Sequence, residues 1–278
     1  MEKESEGRTV GFLTDITVDG IALWVVILVC LGVFLAGFMD GIAGGGGIIS
    51  LPTYLMAFHG IPFYYAFGTN KLSSGLGTIF STARYIKSGC VKWKLFAPAI
   101  LFALTGASGG TWLQHHTPDA ILKYMLLAVL PVVAFLTLRS RSWQDTQEEI
   151  PWGKQAAAVW LAAFVIGGYD GYYGPGTGTF LMLALIHFAK LDTRSAAGGV
   201  KVINLSSNLG ALFTALAGGY VFFGVGLAAA AASMLGHWLG AGLAIKNGSR
   251  IVRPTVIVVL VLLTVKVLSE LLFPQFWG

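Results

Sequence analysis

Asp40-Gly41-Ile42-Ala43-Gly44-Gly45-Gly46-Gly47 and Asp170-Gly171-Tyr172-Tyr173-Gly174-Pro175-Gly176 open alike, 130 positions apart, each carboxylate set in otherwise apolar sequence. An acidic side chain in a transmembrane segment costs roughly 2.5 to 3.5 kcal/mol on insertion scales, so it reads by default as a functional site. The same offset also carries Gly37 onto Gly167, Gly44 onto Gly174, Gly46 onto Gly176, Gly68 onto Gly198, Lys71 onto Lys201, Gly89 onto Gly219, Gly106 onto Gly236, Gly110 onto Gly240 and Leu113 onto Leu243. Glycine identities are common in such a chain. Asp and Lys are rare in it, and their recurrence at one ungapped offset marks an internal duplication.

Around these motifs the chain is 55% hydrophobic and 11% charged, with 37 glycines in 278 residues and a mean hydropathy of +0.74. That composition excludes an ordinary soluble domain. It predicts an all-α integral membrane protein that makes no use of nucleic acid and has the lipid bilayer as its surroundings. Ten apolar segments are expected near 20–39, 44–59, 63–86, 94–114, 119–138, 155–169, 174–189, 196–221, 224–245 and 254–272. The segments at 44–59 and 174–189 are short for a span, so discontinuous or re-entrant helices are expected there. The domain reading is a polar tail at 1–19, a first repeat at 20–138, a cytoplasmic connecting loop at 139–154, a second repeat at 155–272 and a tail at 273–278. The N-terminal tail lacks a basic leader region, so no signal peptide is expected. Cys30 and Cys90 are isolated and imply neither disulfide nor metal site.

Basic residues set the expected orientation. The loops after the third, fifth, seventh and ninth segments hold Lys87, Lys92, Lys94, Arg139, Arg141, Lys154, Lys190, Arg194, Lys246, Arg250 and Arg253, 11 of the 18 basic residues. Both termini are therefore expected on the non-cytoplasmic side of a cell (inner) membrane. Five crossings per repeat force the second copy to enter upside down, an arrangement found in many secondary transporters. Trp93, Trp143 and Trp152, beside the basic loops, fit interfacial anchors.

The glycine-rich stretches Asp40 to Gly47 and Asp170 to Gly178 are poor helix interiors, since each Gly costs about 1 kcal/mol against Ala and Pro about 3. Where helix restarts, free N–H groups and the positive dipole end suit a small anion. The expected substrate-binding set is Gly44, Gly45, Gly46, Gly47, Asn70, Lys71, Gly174, Gly176, Thr177, Gly178, Lys201, Asn204 and Asn208. Asn204 and Asn208 follow Lys201 at helical spacing and share its face. Asp40 and Asp170 are the expected proton-coupling groups, because burial raises a carboxylate's pKa toward the range of a proton relay. Asp to Lys pairing that only holds helices together is the alternative, although such pairs are poor stabilisers compared with apolar packing. His59, His187 and His237 lack metal-ligand spacing, so neither metal nor cofactor is expected. The pairs Gly106/Gly110 and Gly236/Gly240 read as close helix contacts.

Taken together, Gly37-x-x-Asp40-Gly41-x-x-Gly44-Gly45-Gly46-Gly47, Pro52, Gly68-Thr69-Asn70, Tyr85, Gly89-x-Val91-x-Trp93 and Pro98 resemble the TauE/SafE sulfite exporter family. The resemblance continues through Asp170-Gly171, Gly174, Gly176-Thr177-Gly178, Lys201-Val202-Ile203-Asn204-Leu205, Asn208 and Gly219. It implies a permease that moves sulfite, thiosulfate, organosulfonates or related small anions by ion-coupled secondary transport. Pro175 stands where the first copy has Gly45, and Thr177 where it has Gly47, so the half-sites differ. Protons as coupling ion and a homodimer are compatible with this reading and undetermined by it. A passive anion channel on the same scaffold is the alternative. A rhomboid-like intramembrane serine protease is a further one, from Gly106-Ala107-Ser108-Gly109 and His237-x-x-Gly240, although the 130-residue offset makes those two stretches copies of each other.

Overall fold

The computed structural model describes residues 16–118, 121–122 and 150–247, with a few positions between 250 and 258. It is helical throughout apart from a two-stranded ribbon. Strands β1 (Thr17–Val18) and β2 (Ile21–Ala22) pair antiparallel through an Asp19-Gly20 turn in which both residues take positive φ, the usual two-residue hairpin chemistry. The ribbon is a small departure from the all-α expectation. Asp19 fastens it down by accepting from the backbone N–H of Val225 in the first turn of the last described helix.

Among the described residues eight helices follow: α1 (Leu23–Ala43), α2 (Gly47–Ala57), α3 (Phe63–Lys87), α4 (Trp93–His115), α5 (Trp152–Tyr172), α6 (Thr177–His187), α7 (Thr193–Ala217) and α8 (Phe223–Asn247). Under the 130-residue offset α2 falls on α6 and α3 on α7, end for end, and α4 begins where α8 does. Four of them, α1, α4, α7 and α8, are long and apolar enough to cross a membrane, whereas α2 and α6 are short apolar helices. The segments expected at 119–138 and 254–272, the connecting loop and both tails lie wholly or largely outside the described residues.

The two breaks are shorter than the sequence suggests. Helix α1 runs on through Asp40 and Gly41 and stops at Gly44, and α5 runs through Asp170 to Tyr172. Helix resumes at Gly47 and at Thr177. Glycine within the last turn is tolerated because tertiary contacts there outweigh its propensity cost: Gly41 lies against the backbone of Gly240 and Ala241, and Gly171 against that of Ala107. Within the two breaks, positive φ is found at Gly44 (φ +71), Gly45 (φ +139), Gly174 (φ +96) and Gly176 (φ +84). Those residues turn the chain without the steric penalty of a Cβ.

Helix α4 packs along α5 and α8 along α1, with α3 and α7 meeting between them. Gly106 and Gly110 press on the backbone of Phe164, Gly168 and Tyr172, and Gly236 and Gly240 on that of Phe34 and Phe38. Both small-residue pairs therefore act as the contact surfaces they were expected to be. The outer surface is apolar, with Leu31, Leu101, Leu161, Phe213 and Leu235 exposed, while Lys71, Lys201, Asn204, Ser207 and Asn208 are buried. An apolar exterior around a polar interior suits a hydrocarbon solvent, in which charge must face inward. Trp93 and Trp152 are also exposed.

Asp192 caps α7, its side chain accepting from the backbone N–H of Ser195. Partial burial pushes this carboxyl up, but hydrogen bonds from Ser195 and the nearby Lys92 ammonium outweigh that and hold it below the ordinary range. A lowered folded pKa makes the contribution full above about pH 4 and lost as pH falls through the folded value. Asp192→Ala is expected to cost about 1 kcal/mol. A melting curve of the detergent-purified variant checks this at pH 7, and the difference from the parent should shrink on acidification.

Candidate functional site

The two breaks cross in contact. A Cβ on Gly44 would stand 2.5 Å from Gly178 Cα, Gly47 faces Gly174 and Pro175, and the Thr179 hydroxyl donates to Gly44 O at 3.0 Å. Each carboxylate sits in the last turn of its helix, a poor place for negative charge with respect to that helix's own dipole. What holds it there is the next helix. Asp40 Oδ1 accepts from the backbone N–H groups of Gly45 (3.0 Å) and Gly46 (3.3 Å), so it caps the start of α2. Asp170 Oδ1 accepts from the Thr177 hydroxyl at 2.9 Å, at the start of α6.

The charges pair across the two copies. Lys201 Nζ lies 2.9 Å from Asp40 Oδ2 and also donates to Asp40 O. Lys71 Nζ lies 2.8 Å from Asp170 Oδ2, donates to Asn208 Oδ1 at 3.1 Å and lies over the Phe67 ring. Both ammoniums are nearly inaccessible, at 2% for Lys71 and 1% for Lys201. Ion pairing relieves the penalty that four separate intramembrane charges would carry. The pairs are crossed with respect to the 130-residue offset: Asp40 meets Lys201 and Asp170 meets Lys71.

Surrounding groups differ between the two carboxylates. Asp40 Oδ2 also receives Asn204 Nδ2 at 3.4 Å and faces His237 Nε2 at 3.0 Å. Asp170 Oδ2 receives the Ser207 hydroxyl at 2.6 Å. His237 stands where the offset places Ala107, and Ser207 where it places Gly77. The duplicated frame thus carries an imidazole on one side and a hydroxyl on the other.

Between the breaks lies a cavity in which about 30 Å³ is open to the centre of a water molecule, more than one water needs. Of the residues expected from sequence, Asp40, Gly45, Gly46, Gly47, Asn70, Lys71, Asp170, Gly174, Thr177, Gly178, Asn204 and Asn208 line it. Gly44, Gly176 and Lys201 do not. Gly44 is held against α6, and Lys201 reaches the cavity only through Asp40. Two of the amides expected to be free for an anion, those of Gly45 and Gly46, are already bonded to Asp40.

Sequence reasoning passed over Ser50, Thr78 and Ser233 and set His237 aside as a lone histidine; all four also line the cavity. Ser50 is 2% exposed and its hydroxyl finds no hydrogen-bond partner, a costly condition for a buried polar group. One signal was available for His237: it is the titratable residue on a Gly/Ala-rich helix at a position where the other copy has alanine. The protease motif finds no joint geometry, for the Ser108 hydroxyl donates to Gly210 O while His237 is engaged with Asp40 and Ser233. Among the described residues no His, Cys, Asp and Glu cluster has metal-ligating form.

Helices long and apolar enough to cross a membrane, wrapped around buried, paired charges and a polar cavity at two helix breaks, suit a membrane transporter. Comparison with known proteins agrees with that class. The family model described as "Sulfite exporter TauE/SafE" matches residues 29–267, and the chain belongs to that family. It is 32% identical over 252 residues to "Probable membrane transporter protein ORF9" of Sinorhizobium sp, covering 90% of this chain and 95% of the relative. A "Probable membrane transporter protein" of Haemophilus influenzae is 32% identical over 256 residues, covering 92% and 97%. "Probable membrane transporter protein YfcA" of Escherichia coli K12 is 28% identical over 237 residues, covering 85% and 87%. No solved structure matches the chain.

Proposed function

We propose that this chain is a secondary transporter of small sulfur-containing anions (sulfite, thiosulfate or organosulfonates) in the cell membrane, working by alternating access about the cavity between its two helix breaks. The observation that carries the reading is that cavity: it is flanked by Lys71, Asn70, Asn208 and the unpartnered Ser50 hydroxyl, and bounded by backbone from both breaks. The family name supports the sulfur anion. In this reading the two copies of 20–138 and 155–272 have opposite orientations, both termini lie on the non-cytoplasmic side, and rocking one copy against the other exposes the cavity to each face in turn. The crossed pairs Asp40–Lys201 and Asp170–Lys71 tie the copies together. A substrate oxyanion competes with the carboxylates for the ammoniums and amides, and Asp40 or Asp170 takes a proton when displaced.

The test is uptake and exchange of labelled sulfite, thiosulfate and isethionate by the purified protein in proteoliposomes. Combining Lys201→Ala with Asp170→Asn is expected to abolish transport, and unchanged transport by that variant rejects the site. Ser50→Ala is expected to raise the half-saturating substrate concentration roughly tenfold, the loss of one hydrogen bond to a charged acceptor, with the maximal rate altered less. Flux that rises linearly with concentration favours the channel alternative.

A further inference from the structure

Resting on the transporter reading, and extending its proton role from Asp40 to that residue's partner, we propose that His237 carries the coupling proton and that its imidazolium supplies the net positive charge that admits a monoanion.

The cavity's own charges cancel. Asp40 and Asp170 contribute two negative charges, and Lys71 and Lys201, bonded to them, contribute two positive ones. With no net charge the site offers an anion only dipoles and hydrogen bonds, and in a low-dielectric surround one further cation adds a strong net attraction. His237 is the titratable group placed to provide it: it lines the cavity, is 2% exposed and shares the Asp40 carboxylate with Lys201.

Its hydrogen bonds describe two protonation states. Nε2 lies 3.0 Å from Asp40 Oδ2, which only accepts, so Nε2 holds a proton in either state. Nδ1 lies 2.9 Å from the carbonyl oxygen of Ser233 and 3.2 Å from its hydroxyl. In the imidazolium, Nδ1–H donates to that carbonyl. In the neutral ring, Nδ1 is an acceptor and the Ser233 hydroxyl turns to donate to it, leaving the carbonyl without that donor. Rotating one hydroxyl is thus enough to exchange the two forms. The remaining neighbours do not compensate a charge on the ring. Thr78 from α3 lies 3.4 Å from Nε2 and already donates to Ser74 O. Asp170 and Lys71 form their own pair, and the Arg84 guanidinium is bonded to Trp238 O and laid over the Trp238 ring. Asp40 is the charged group bonded to His237, and Lys201 meets it through the same carboxylate oxygen.

A proton on His237 therefore brings the cavity to a net charge of +1, and a bound monoanion returns it to zero. The loaded carrier crosses as a neutral unit, one proton with one anion. The same proton-dependent charge disfavours an empty, protonated return, which is what couples the two flows.

The experiment uses wild-type protein in proteoliposomes clamped at zero membrane potential, with a trapped pH indicator and labelled isethionate, a sulfonate that stays monoanionic throughout. Wild type is expected to accumulate the anion down an imposed proton gradient, with one proton moved per anion. In His237→Gln, which keeps a donor for Asp40 but cannot ionise, accumulation should fall to the equilibrium ratio of about one, and whatever exchange it retains should lose its pH dependence. Ser233→Ala removes the donor to the neutral ring, so the midpoint of the pH profile should move upward by on the order of half to one unit. It keeps the test decisive if His237→Gln fails to fold. Gradient-driven accumulation by His237→Gln at the wild-type level overturns the proposal, as does an unmoved midpoint in Ser233→Ala. If wild type exchanges isethionate, sulfite and thiosulfate not at all, the transporter reading itself fails, a result visible before any variant is made.

Discussion

Gly44→Val is expected to destabilise the protein by about 3 kcal/mol or more, a large fraction of the total stability of a marginally stable protein. Two effects add. Gly44 has φ +71, where a β-branched residue meets a penalty of roughly 1–2 kcal/mol, and its new Cβ would collide with Gly178 Cα and carbonyl carbon, an overpacking term of roughly 1–3 kcal/mol. Two controls separate these contributions. Gly178→Val lies in a helix and meets the collision with Gly44 and Gly45, whereas Gly60→Val has a similarly positive φ (+78) with open space around it. Melting temperatures of the purified proteins should fall in the order Gly60→Val least, Gly178→Val more and Gly44→Val most. If Gly44→Val melts with Gly60→Val, the two breaks are not in contact.

The second large effect concerns the crossed ion pairs. Lys201→Met leaves the Asp40 carboxylate buried without its ammonium, and losing one member of such a pair costs about 3–5 kcal/mol. Asp40→Asn together with Lys201→Met removes the charge altogether while keeping an oxygen to accept from the Gly45 and Gly46 amides. The double variant is therefore expected to melt well above the single one, recovering more than half of the loss, while both lose substrate exchange. A double variant no more stable than Lys201→Met would mean that Lys201 acts on the fold through something other than Asp40. The same comparison with Lys71→Met and Asp170→Asn tests the other crossing.

Much of this architecture was legible from residue types. Two Asp and two Lys recur at one offset in the sequence, and helices α2 and α3 recur as α6 and α7 at that same offset. The breaks were placed correctly but too widely, because propensity counts glycines and takes no account of the neighbouring backbones that Gly41 and Gly171 support. Which Asp meets which Lys was not readable: an offset tells which positions are equivalent, not which touch, and the contacts form between copies. The capping of α2 by Asp40 was hidden for a related reason. The sequence signalled free amides for an anion, and the protein's own carboxylate occupies two of them. Ser50 and His237 were not read as site residues because each interrupts the symmetry, a serine opposite Phe180 and an imidazole opposite Ala107. Departures from a repeat are where function is added to a duplicated scaffold, and they are silent when only the matches are read.

In the proposed transport cycle an anion binds between the breaks and is reached from each face of the membrane in turn. Accessibility of a cysteine at Ser50 tests it most directly, in a background where Cys30 and Cys90 are replaced by alanine. With Ser50→Cys in proteoliposomes of known orientation, charged membrane-impermeant thiol reagents applied from either side should label the site, and sulfite, thiosulfate or isethionate should slow labelling from both. Labelling from one face only, or labelling that none of these anions retards, would contradict the account.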